Sequence, residues 1–357
     1  MDRKVADIIA KVQEGISIDY DETLYLLSID ETSPEATAVR GAANDLVRAK
    51  TDNAGVIWGQ IGIEVHPCEA DCSFCSFAKS TTFFTDEVLM PVDDVVARAK
   101  DFTKGGDVYG LCLMTMNTFD RDHFLACVKA VREAVPASTK VYCNIGDCDQ
   151  EYFEKLKAVG CDGMYHARRL GEGLDTNILP ETREETIRNA HNAGLAIMDC
   201  CEPIGAETSD EAIATRLFEI RQRNEEYGIP DCSGVMKRNS VPGTPFEGMG
   251  NEITDMRLAY LGAIQVFIMI DQEVFPWISF HEPNTVNLLS GGNYVCAETG
   301  FNPRDTAEDT AGHHGLDVPA VRRMFYQAGF RWLVRGDGTR VELTPAYMDA
   351  KIAEAMA

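Results

Sequence analysis

The stretch HPCEADCSFCSFA sets Cys68, Cys72 and Cys75 in a CxxxCxxC spacing, with Phe74 just before the last thiol. Three thiolates on one short loop suit three irons of a [4Fe-4S] cube, which leaves the fourth iron without a protein ligand and open to chemistry. Structural zinc, with His66 as fourth ligand, is the competing use. Compact zinc sites are more often built from two separated ligand pairs, so the iron-sulfur use is expected. The chain holds 12 cysteines, and no secretory signal is visible in the charged N-terminus MDRKVADIIAKVQEG. No run reaches the length of a membrane span either; the longest apolar stretch, LGAIQVFIMI, covers only Leu261 to Ile270. A cytoplasmic location is therefore expected, where cysteines serve metals, catalysis or packing rather than disulfides.

The elements that must hold this loop are legible from periodicity. Residues 1–54 read as an N-terminal helical extension, with VADIIAKVQEG, TLYLLSID and AANDLVRAK at helical spacing. Residues 55–357 then alternate short apolar runs with amphipathic stretches. Strands are expected at Ile61–Val65, Tyr109–Met114, Lys140–Asn144, Gly163–His166, Ala196–Cys201, Gly234–Lys237, Val274–Phe280 and Asn293–Cys296. Helices such as RDHFLACVKAVREAV lie between them, and Gly105, Gly160 and Gly194 are expected as helix stops. Eight such units predict an α/β chain of the (β/α)8 TIM-barrel class with a C-terminal helical segment. The cysteine loop then follows the first strand, at the end of the barrel where such folds carry their chemistry. An open doubly wound sheet is the competitor, weakened by the lack of GxGxxG after the first strand.

CxxxCxxC with an aromatic before the third cysteine, following the first strand of a barrel, resembles the radical S-adenosylmethionine (radical SAM) superfamily. The resemblance implies a [4Fe-4S] cluster whose open iron binds the amino and carboxylate groups of S-adenosylmethionine, and whose electron releases a 5′-deoxyadenosyl radical. The stretch ETREETIRNAHNAGL followed by CCEPIGAE is similar to the branch of biotin synthase, methylornithine synthase and the hydrogenase-cofactor maturases. On that resemblance Arg183, ahead of the Ala193-Gly194 turn, would bind the SAM carboxylate, a pairing suited to a guanidinium. Ile204 would pack on adenine, and Glu172, in RRLGEGLDT, would meet the SAM amino group. The branch often carries an acidic residue at the end of the second strand, whereas LCLMTMN has none before Asp120. The Asn-Asp pattern that ends the fourth strand of biotin synthase is also missing from YHARRLGEG.

Biotin synthase holds an auxiliary iron-sulfur cluster that donates sulfur, and two of its ligand positions match Cys112 and Cys143 on the second and third strands. Its third matches Met198, but Cys200 shares that strand face by period-two alternation. Its arginine ligand falls near His281, and imidazole is a competent iron ligand. Those four residues form the candidate auxiliary site; packing accounts for the other cysteines and is the bland alternative for these four as well.

Two enzymes are thus compatible with the chain. One inserts sulfur in the manner of biotin synthase; the other rearranges a carbon skeleton or assembles a cofactor without sulfur transfer. A cluster-carrying scaffold or electron-transfer protein is the reading from another class. The substrate is expected to be a small molecule or a carrier-bound acyl chain, the electron donor a flavodoxin or ferredoxin, and the chain could form a homodimer. Its 33 Lys+Arg against 57 Asp+Glu leave a net charge of −24, which argues against nucleic acid and works against acidic electron donors.

Overall fold

The computed structural model describes residues 1–227, 231–306, 309–310 and 314–356. Eight parallel strands close on themselves: β1 (Ala54–Gly62), β2 (Val108–Met114), β3 (Lys140–Asn144), β4 (Gly163–Tyr165), β5 (Ala196–Ile204), β6 (Cys232–Lys237), β7 (Trp277–His281) and β8 (Tyr294–Gly300). Closure comes from β1, which pairs with β2 on one edge and with β8 on the other, setting Trp58 beside Cys296 and Gln60 beside Glu298. The fold is a (β/α)8 barrel.

The first strand starts earlier than its sequence suggests. It begins at Ala54, and the expected Ile61–Val65 falls on its last residues and on a two-residue strand, Glu64–Val65, paired with Val88–Leu89. Glycines at 55, 59 and 62 break up the apolar run, but they are there for close approach. A Cβ on Gly62 would lie 1.8 Å from the Phe301 carbonyl oxygen. The helix stop expected at Gly105 is taken by Gly106, whose φ of +70° suits glycine. The Gly228 end of the helix after β5 lies outside the described residues.

Alternation sorts side chains into an inner set and two outer sets. Trp58, Cys112, Tyr142, Met198 and Tyr294 fill the barrel interior. Outside, Leu111, Leu113, Val141 and Cys143 pack under the crossover helices. On the opposite flank the N-terminal helices α1 (Arg3–Gln13), α2 (Tyr20–Leu27) and α3 (Pro34–Thr51) share one apolar cluster with β5, β6 and the helices that follow them, Asp210–Tyr227 and Asp255–Met269. The second of these is buried almost throughout because α2 and α3 cover it. Among the described residues no helix is long and apolar enough to cross a membrane.

The strand N-termini are sealed. Lys140 Nζ bonds both oxygens of Asp231 at 2.8 Å, and the Tyr109 hydroxyl donates to Asp231 at 2.7 Å. A C-terminal hairpin that periodicity did not reveal, Trp332–Val334 with Arg340–Glu342, joins the N-terminal end of β1. Its turn lies so close below the barrel that a Cβ on Gly336 would come within 2.6 Å of the Tyr109 carbonyl oxygen. Among the described residues, the C-terminal mouth is the end of the barrel that stays open.

Candidate active site

A cavity of about 220 Å³ opens at that mouth, and Cys68, Cys72, Phe74 and Cys75 all line it. All three thiols are free. Backbone bonds shape their loop: Cys68 N donates to Phe77 O at 2.8 Å, Cys75 N to Cys72 O at 3.0 Å, and Phe77 N points at Cys75 Sγ at 3.4 Å. Neighbouring strand-end loops brace it. Ser73 N donates to Asp175 O and Asn177 N to Ala70 O, both at 2.8 Å, while Ser76 N reaches Pro303 O at 2.9 Å. Burial pushes the Cys72 thiol up to about 11 and Cys75 higher still. Burial thus favours the protonated forms of Cys72 and Cys75, and a bound metal would take the place of those protons. Among the described residues no three His, Cys, Asp or Glu side chains are gathered tightly enough for a single metal ion.

Arg183, on the helix Pro180–Asn192, is 4% exposed and lines the same cavity. Its Nη1 sits 3.1 Å from Asp147 and 3.1 Å from His166 Nε2, and Glu172 lies 3.5 Å from its Nε. That Nε nevertheless has no hydrogen-bond partner. Unbonded buried donors are costly, and a guanidinium on a cavity wall is a ready partner for a ligand's acceptor. Burial would raise the carboxyl of Asp147, but His166, Arg183 and Thr186 together hold it down at about 2. Burial also pushes His166 down to about 4, so its imidazole is neutral at pH 7. His166 Nε2 is 3.0 Å from Asp147, and its tautomer decides whether it donates there or accepts from Arg183.

Several expectations need correction. Glu172 does not line the cavity; it sits behind Arg183, accepting from Arg169 N at 3.0 Å and from the Thr176 hydroxyl at 2.8 Å. The Ile204 side chain belongs to the outer apolar cluster although residues 198, 200 and 202 turn inward, because the pairing of β5 with β6 shifts register between Cys201 and Ile204 and breaks the alternation there. The four expected auxiliary ligands are not gathered. Cys143 points outward beside Cys161, both thiols directed at Gly163 O, because Tyr142 and Asn144 take the inward positions of β3. Cys112 is interior but lies outside the cavity lining, whereas Cys200 and His281 are part of it. Cys232 and Cys296, first assigned to packing, line it as well.

Sequence reasoning also missed the charged walls. At the ends of β4 and β5, Glu202 pairs with Arg169 Nε at 3.2 Å and accepts a short bond from the Tyr165 hydroxyl. At the ends of β7 and β8, Glu298 is bonded by Arg304, His281 and Asn302. Burial and Arg304 act against protonation of His281, but Glu298 and Cys296 outweigh them and hold it at about 9. The signal was present: counting by twos from Cys200 and Cys296 puts both glutamates inside.

No family model matches the chain. Over 271 residues, 70% of this chain and 76% of the relative, it is 24% identical to the biotin synthase of Citrifermentans bemidjiense. That likeness is joined by the CxxxCxxC loop at the barrel mouth. It supports the radical SAM superfamily for this chain. Among solved structures it resembles the FeFe-hydrogenase maturase HydG of Carboxydothermus hydrogenoformans, with a TM-score of 0.75 at 16% identity, covering 92% of this chain and 78% of that one. It also resembles methylornithine synthase, with a TM-score of 0.74 at 17% identity, covering 90% and 96% of the two chains. At those identities the likeness is one of fold. The superfamily that the biotin synthase likeness supports is one that uses a [4Fe-4S] cluster and SAM.

Proposed function

We propose that Cys68, Cys72 and Cys75 hold the [4Fe-4S] cluster, that SAM binds above it in the cavity, and that the chain abstracts hydrogen from a small substrate bound deeper in the barrel. When bound, the cluster and SAM together supply a 5′-deoxyadenosyl radical able to attack an unactivated carbon. The carrying observation is the convergence of three free thiols and the buried guanidinium of Arg183 on one cavity at the C-terminal end of the barrel. Arg183 suits a carboxylate, and Asp147 and Glu172 fix its plane from behind. The sealed floor and the packed Trp58, Tyr142 and Tyr294 keep bulk water from the interior, which a radical reaction requires. A carbon-skeleton rearrangement or cofactor-assembly reaction without sulfur transfer is favoured, because Cys143 faces away from the cavity and Cys112 is not on its lining.

Sulfur insertion is the second reading. It draws on a different set, since Cys200, Cys232, Cys296 and His281 line the cavity together. Anaerobically reconstituted protein with SAM and dithionite should yield 5′-deoxyadenosine; none formed by cluster-loaded protein would refute the radical reading. Iron counting separates the two enzymes. About four irons per chain fits the first and about six to eight the second.

A further inference from the structure

Arg169 has no part in the function as described, yet it lines the cavity with the three cysteines. It is held from several sides. Its Nε pairs with Glu202 at 3.2 Å, its backbone N–H donates to Glu172 at 3.0 Å, and Leu170 N donates to Glu202 O at 2.7 Å. Glu202 is 2% exposed and also takes the Tyr165 hydroxyl. The loop that carries Arg169 is the one bonded to the cysteine loop through Asp175 and Asn177. A fixed cation and a fixed anion therefore line the same cavity as the thiols, in a site largely shielded from water, where charges act strongly. One-electron reduction adds a negative charge to a cluster, and charges and hydrogen bonds around it set how readily that happens.

We propose that Arg169, anchored and partly offset by Glu202, sets the reduction potential of the cluster held by Cys68, Cys72 and Cys75. This rests on the cluster assignment above. The guanidinium favours the reduced state and Glu202 opposes it, so the pair acts as a graded electrostatic control and not only as a brace.

The test is a potentiometric titration of anaerobically reconstituted protein, followed by electron paramagnetic resonance, without SAM. Iron content and absorbance are recorded first to establish loading. Arg169→Gln is expected to lower the midpoint by about 59 mV or more, the value of a tenfold change in the oxidised-to-reduced ratio for one electron. Glu202→Gln is expected to raise it, the double variant to return towards wild type, and Arg169→Lys to stay close to it. A structural brace alone would not give shifts of opposite sign. Shifts of the same sign, or a loaded cluster whose midpoint stays put, would overturn the role. So would an Arg169→Gln protein whose only defect is weaker SAM binding, since Arg169 would then be a SAM ligand. A wild-type chain that holds no cluster sinks the cluster assignment, and this role with it.

Discussion

Arg183 shows how a single side chain is made ready for a ligand: two carboxylates and a neutral imidazole surround its guanidinium, and one N–H is left unbonded. Arg183→Met should weaken SAM binding roughly 10- to 100-fold, the worth of hydrogen bonds to a charged group, while leaving cluster content unchanged; equilibrium binding and iron analysis would check both. His166 gives a pH signature. Its imidazole is depressed to about 4 when folded against about 6.5 when unfolded, so the unfolded chain binds the extra proton between those values. Stability should thus be intact above about pH 6.5 and fall as pH drops towards 4, by roughly 3 kcal/mol in all. Denaturant unfolding of wild type and His166→Asn at pH 7 and pH 5 would show it, the variant having the flatter response. The cysteine loop was legible in the sequence because its spacing is local. Arg169, Glu202 and Glu298 were not, because their roles come from strands that meet only when the barrel closes. Cys143 was placed on the wrong face for a related reason: the parity of β3 is set by its register with β2 and β4, and nothing within Lys140–Asn144 alone announces it.

At the level of elements, the eight strands and their crossover helices were visible as alternating periodicities, and most boundaries shifted by only a few residues. The exceptions have causes. Glycines hid the start of β1, since they interrupt an apolar run where backbones must touch. The C-terminal hairpin has strands of three residues each, too short for alternation to register. Close approach makes β1 intolerant of added atoms. Gly62→Ala would drive a Cβ to 1.8 Å from the Phe301 carbonyl oxygen, and the backbone there cannot yield without parting β1 from the loop after β8. A loss of at least about 2–3 kcal/mol is expected, read from urea midpoints, together with poorer cluster retention because Ser76 is anchored to that same loop through Pro303.

For the whole molecule, charge and closure matter most. With a net charge of −24, an acidic flavodoxin or ferredoxin meets repulsion at low ionic strength. Its rate of reducing the protein should therefore rise as salt is raised from about 0.01 M to 0.15 M, as the screening length shortens from about 30 Å to 8 Å. Stopped-flow reduction across that range would show it, and a falling rate would point instead to a local basic landing patch. Composition made this tension visible, whereas the plugged floor emerged only from the fold. That plug, where Asp231 ties Lys140 to Tyr109 above the C-terminal hairpin, imposes a queue. A vessel with one door and a deep berth fills from the bottom and empties from the top. With SAM above the substrate, as proposed, whatever occupies the berth is expected to board before the molecule at the door and to leave only after the spent part of that molecule has gone.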